Sequence, residues 1–144
     1  MPNNDTIELL RECSSGVAMG IGSIDDILES TKDETLRKIL QKSKNNHQTL
    51  ENDIDNYLKA FHDEPKEPGT MAKGMSYLKT NFKMTANPSD KTIADLITDG
   101  CNMGIKSLYR YLNQYQAADP DIKKLTKKLI DEEENLRKEL CSYL

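Results

Sequence analysis

The sequence predicts an all-α, antiparallel bundle of four long helices, and three observations carry that expectation. Apolar residues in four long segments recur in steps of three and four, strand signals are nearly absent, and the chain matches itself at long range. Gly16-Val17-Ala18-Met19-Gly20-Ile21 returns 84 residues later as Gly100-Cys101-Asn102-Met103-Gly104-Ile105, and the match runs on to Leu28 and Leu112. A second match, at an offset of 86, pairs Thr35–Leu58 with Asp121–Leu144, including Tyr57 with Tyr143. A period of this length implies one supersecondary unit used twice.

The first helix is expected near 6–29, where Asp5-Thr6-Ile7-Glu8 has the form of a capping box whose side-chain oxygens satisfy free backbone N–H groups. Thr31-Lys32-Asp33-Glu34 has the same form and opens a second helix near 33–62. Asn87-Pro88-Ser89 precedes a third long helix near 90–116, and Asp119-Pro120 sets a capping Asp before a Pro at the first helical position of the last, near 120–143. A shorter helix is expected near 71–84.

Each long segment carries one apolar stripe. Helix one reads Ile7, Leu10, Ser14, Val17, Ile21, Ile24, Leu28, and helix two Leu36, Leu40, Ser43, His47, Leu50, Ile54, Tyr57, Phe61. The third long helix reads Ala94, Ile97, Cys101, Ile105, Leu108, Leu112, Tyr115, and the last Ile122, Leu129, Glu133, Leu136, Leu140, Tyr143. Such helices are marginal alone in water, and a bundle buries all four stripes at once. The links at 30–32 and 117–119 are short, so each repeat is a hairpin: 5–62 and 90–144, within a single domain 1–144. The crossover 63–89 is too long for a neighbour-to-neighbour loop. A helix of roughly 14 residues, about 21 Å, carries the chain along the bundle, so that helix two and the third long helix run parallel.

The duplicated hairpin, the crossover and the acidic last helix Leu129-Ile130-Asp131-Glu132-Glu133-Glu134-Asn135-Leu136 resemble ferritin-like bundles of the rubrerythrin and bacterioferritin kind. More closely, the chain is similar to small bacterial members of that superfamily that lack the di-iron ligand set. The resemblance implies a Glu on the first helix of each hairpin and a Glu-x-x-His on the second, pointing inward around two metal ions. Carried over, Glu-x-x-His falls on Lys44…His47 and Ile130…Glu133, while the first-helix positions fall on Val17 and Cys101, preceded by Ser14 and Thr98. No di-iron centre is expected from such a set, because hard di-metal sites need several carboxylates.

Counting about 15 residues from each hairpin turn places Val17, His47, Cys101 and Glu133 in one layer. Three readings of that layer stay open. His47 and Glu133 form a hydrogen-bonded pair that fixes helix register; or His47, Glu133 and Cys101 hold a single zinc or iron ion, completed by water or Ser43; or the stripe is rotated by one residue and Glu132 faces inward. His62 cannot join His47, being 15 residues away on one helix, about 22 Å.

Five of the seven glycines lie inside long helices, and Gly16-x-x-x-Gly20 is repeated as Gly100-x-x-x-Gly104. Each interior glycine costs roughly 1 kcal/mol relative to alanine. One reading is close backbone contact between the two first-of-hairpin helices. The other is a cavity beside the polar layer, left for a ligand.

The net charge of −4, with both signs interspersed, argues against a nucleic-acid binder, which would show a basic stripe. No leader and no apolar run of roughly 20 residues is apparent, so the expectation is a cytoplasmic protein without a membrane span. Cys13, Cys101 and Cys141 lack metal-binding spacing and read as reduced, mostly buried thiols. No cofactor is expected. The predicted function is a non-catalytic binding or structural module that forms a homo-oligomer. The alternatives are a redox or hydrolytic protein with one metal ion on His47, Glu133 and Cys101, and a protein that recruits a partner or an anionic membrane through Met71, Met75, Leu78 and Phe82 with Lys73, Lys79 and Lys83.

Overall fold

The computed structural model describes residues 2–63 and 88–144. Within them lie four long α-helices and no strand: α1 (Asn4–Leu28), α2 (Glu34–Ala60), α3 (Asp90–Gln114) and α4 (Pro120–Leu140), followed by a 3-10 turn at Cys141–Tyr143. The expected helix near 71–84, with its Met71, Met75, Leu78 and Phe82 face, lies outside the described residues.

Helix starts follow local hydrogen bonding. Asn3, not the expected Asp5, is the N-cap of α1: its Oδ1 accepts from Thr6 N at 2.9 Å. Asp5 and Thr6 are thereby freed for the opposite hairpin. Asp33 caps α2 by accepting from Leu36 N at 2.9 Å, and Ser89 caps α3 by accepting from Thr92 N at 3.1 Å. Pro120 occupies the first turn of α4, where its missing N–H costs nothing, but Asp119 makes no side-chain cap. The end of α2 is a Schellman motif, in which Asp63 N donates to Leu58 O and His62 N to Lys59 O, with His62 at φ 57°.

Bonds between the hairpins fix the helix directions. At one end, Lys32 N and Asp33 N donate to the Asp90 carboxylate, both at 2.9 Å, so α2 and α3 start together. At the other, Ala117 N donates to Asp5 Oδ2 and Asp119 N to Thr6 Oγ1, so α1 and α4 start together. Each hairpin's turn is thus held by the first residues of the other hairpin. Around the bundle the order is α1, α2, α4, α3, and every neighbouring pair is antiparallel.

The core forms two clusters. One holds Leu9, Leu10, Val17, Ile54, Leu58, Ile122 and their neighbours, and the other Ile24, Leu36, Leu40, Ile93, Ile97, Leu140 and theirs. Fully burying a side chain of this size contributes about 1.5–3 kcal/mol. On α1 the buried set includes Leu9, Cys13 and Ile27, while Ile7, Ile21 and Leu28 are only half-buried. The reason is that α1 also touches α4 across the diagonal, which widens its covered face beyond a single stripe. His47 and Glu133 belong to neither cluster and lie between them.

Candidate functional site

His47 falls on the stripe of α2 between Leu40 and Leu50, and Glu133 on that of α4 between Ile130 and Leu136. Helical spacing therefore turns both inward at mid-bundle. His47 Nε2 lies 2.6 Å from Glu133 Oε1, and His47 Nδ1 lies 2.7 Å from Ser43 O, one turn back on its own helix. A carbonyl can only accept, so Nδ1 carries a hydrogen. Nε2 and the carboxylate share the remaining proton, as an imidazolium–carboxylate pair when Glu133 is ionised. Burial, the largest influence on the ring, disfavours its charge; the hydrogen bond and charge of Glu133, the Ser43 carbonyl and Glu132 together outweigh it and raise the His47 pKa above 6.5.

Glu132 does not face inward. Ser43 Oγ donates to its Oε1 at 3.0 Å and Asn46 Nδ2 to its Oε2 at 3.1 Å, which places it at the α2–α4 seam. Of the three readings, the rotated stripe is replaced by the direct His47–Glu133 pair.

Gly20 of α1 faces the pair. A Cβ built on Gly20 would sit 2.9 Å from His47 Cδ2 and Nε2, whereas one on Gly104 would sit 3.6 Å from Glu133 Oε2. The repeated glycines thus make room for one side chain each. Gly16 differs, since a Cβ there would meet nothing within 4 Å. It borders a cavity of about 50 Å³ that opens between α1 and α3 and is also lined by Gly100, Gly104, Met19, Ile97 and Leu108. Close backbone contact is therefore not what these glycines provide at Gly16.

Two buried carboxylates line this cavity, Glu133 and Glu12, which are 9% and 7% exposed. The sequence reading missed Glu12. It lies two turns before Gly20 on α1, so at helical rise it is about 12 Å away along the axis. Its partner is Tyr111 of α3, whose phenol is raised by burial and then by the charge and hydrogen bond of Glu12. The available signal was the eight-residue spacing, which puts Glu12, Gly16 and Gly20 on one face.

The structure brings Cys101 to the same place. Its thiol is pushed up by burial first and then by the charge and hydrogen bond of Glu133, with Arg137 acting in the opposite sense. Cys13 is pushed up to about 12, also chiefly by burial, and its Sγ lies 3.2 Å from Thr126 Oγ1. Burial favours the protonated form of both thiols, which is the weaker nucleophile. His47, Glu133 and Cys101 converge, yet among the described residues no group of three or more His, Cys, Asp or Glu side chains is arranged to hold a metal ion. All three cysteines are free, and Cys141 is exposed.

No helix among the described residues is long and apolar enough to cross a membrane. No family model and no curated protein matches the chain. A solved structure does: a DUF305 fragment from Deinococcus radiodurans, with a TM-score of 0.77, covering 96% of this chain and 94% of that one at 11% identity. This likeness corrects the resemblance to ferritin-like bundles drawn from the sequence, because DUF305 is a distinct family. The physical reason for the mismatch is that amphipathic hairpins and an acidic last helix suit any four-helix bundle, and no ligand set was present to distinguish one kind from another. At this identity the chain shares with the DUF305 fragment a four-helix fold.

Proposed function

We propose that the protein is a non-catalytic binding module whose ligand enters the cavity between α1 and α3 above the His47–Glu133 pair. The carrying observation is the open space at Gly16 beside a polar pair that is internally satisfied. A buried histidine with both ring nitrogens engaged offers no free base, and protonated thiols are the weaker nucleophiles. What stays open to a visitor is the apolar wall. Missing side chains at Gly16 and Gly100 weaken both helices, and a binding space offsets that cost in function.

The test is two-dimensional NMR of the protein titrated with n-butanol. Shifts confined to residues around Gly16, Cys101 and Leu108, and abolished in a folded Gly16→Leu variant, support the reading. Shifts that are absent, or that survive in the variant, remove it.

The reading with one metal ion uses His47, Glu133 and Cys101, and would require Nε2 to exchange Glu133 for the ion. Stoichiometric zinc or iron in protein purified without chelator, lost in His47→Ala, would establish it instead. Self-association belongs to the same proposal and is measured by sedimentation equilibrium; Met103 and Tyr109, 44% and 50% exposed on α3, are apolar groups available for it.

A further inference from the structure

Hydrogen bonding around the cavity narrows the ligand class, and this step rests on the binding role proposed above. Each charged side chain of the lining already has a partner. His47 spends one N–H on Ser43 O and the other on Glu133 Oε1. Glu133 also accepts from the Cys101 thiol, and Glu12 is hydrogen-bonded to the Tyr111 phenol. No Lys or Arg lines the cavity among the described residues. An ammonium or carboxylate ligand would therefore enter without a free counter-charge, or would have to draw a carboxylate away from its partner. Either course leaves a buried polar group unsatisfied, and the cost is larger for an ion than for a neutral group.

Two neutral hydroxyls of the lining are not spent in this way. Ser23 on α1 and Ser107 on α3 line the cavity, and neither side chain has a hydrogen-bond partner among the described residues. Ser23 is the more deeply placed, being 8% exposed. It follows Met19 by four residues, so the two share one face of α1. Buried polar groups are rarely left without a partner, so this hydroxyl marks a position where a bound molecule can supply one. The wall beside it is apolar, with Met19 from α1 and Ile97 from α3.

We infer that the cavity between α1 and α3 takes a small uncharged aliphatic molecule bearing one oxygen, its chain on the apolar wall and its oxygen paired with Ser23 Oγ. A hydroxyl both donates and accepts, so Ser23 serves an alcohol or a ketone alike. Selection against ions follows from the partners that Glu12, His47 and Glu133 already hold.

The experiment compares n-butanol, n-butylammonium and butyrate at pH 7 by the same NMR titration, on the parent and on Ser23→Ala. Butanol is expected to bind about tenfold more tightly than either ion. Alanine is the better helix former, so Ser23→Ala keeps α1 intact, and it should weaken butanol about fivefold, the worth of one hydrogen bond. Either ion matching or exceeding butanol overturns the uncharged class but leaves the cavity as a binding site. Butanol binding that is unchanged in Ser23→Ala overturns the pairing with Ser23. Failure of all three probes removes the binding role itself.

Discussion

At the scale of single residues, three glycines that look alike in sequence occupy three different environments. Replacing Gly16 by Ala adds a methyl group in open space, so the gain in helix propensity of roughly 1 kcal/mol should appear as a higher urea midpoint. Gly20→Ala gains the same propensity but drives Cβ to 2.9 Å from a ring held by two hydrogen bonds. Overpacking of this kind costs about 1–3 kcal/mol and should leave the variant less stable than the parent. If Gly16→Ala lowers the midpoint as Gly20→Ala does, the cavity at Gly16 is closed. The His47–Glu133 pair makes a second prediction, in pH. The folded ring holds its proton above the ordinary value of 6.5, so its contribution is complete below pH 6.5 and is lost as pH rises through the folded value. Stability attributable to the ring should therefore fall on the alkaline side of 6.5, by at most about 1.4 kcal/mol per pH unit. Urea melts of the parent and of His47→Gln check this, and a difference between them that is constant from pH 6 to 9 would contradict it.

At the scale of elements, the helix ends hold the two hairpins together. Asp90 was legible only as an acid in the first turn of α3, where it suits the helix dipole. The structure adds its acceptance of Lys32 N and Asp33 N from the other hairpin. Asp90→Ala should cost roughly 1–2 kcal/mol, at the upper end for a cap, while Asp90→Asn should recover part of it. Equal stability of Asp90→Ala and the parent would show that water replaces both bonds without loss. At the other end of α2, His62 sits at φ 57° in the C′ position of a Schellman motif, where glycine avoids the Cβ penalty. His62→Gly should raise stability by about 0.5–1 kcal/mol in chemical denaturation. The expected capping box at Asp5 was misplaced by two residues for a related reason. Asp5 and Thr6 accept backbone N–H groups of the 115–119 turn, a partner more than 100 residues away that no local pattern reveals.

At the scale of the whole molecule, the polar layer divides one core into two clusters, and the sequence match marks where. His47 and Glu133 are equivalent positions in the match, and so are Gly20 and Gly104. In the structure all four meet, with the glycines on two sides of one hydrogen-bonded pair. Because each hairpin contributes one member, the pair requires both hairpins to be docked. Its strength is therefore a readout of the whole bundle. The cavity is likewise a property of docking, since α1 and α3 belong to different hairpins and each supplies half of its small residues.

The sequence by itself determined the four helices, their short turns, and the interruption of two stripes at His47 and Glu133, because amphipathic periodicity and capping are local and repeat along the chain. Only the tertiary structure decided what the interruption contains. Periodicity gives the direction of a side chain from its own axis, but not the separation or rotation of the helix it faces. Those two quantities set Gly20 against the pair, sent Glu132 to the seam, brought Glu12 beside Tyr111, and left open space at Gly16, where close backbone contact was one of the two expectations.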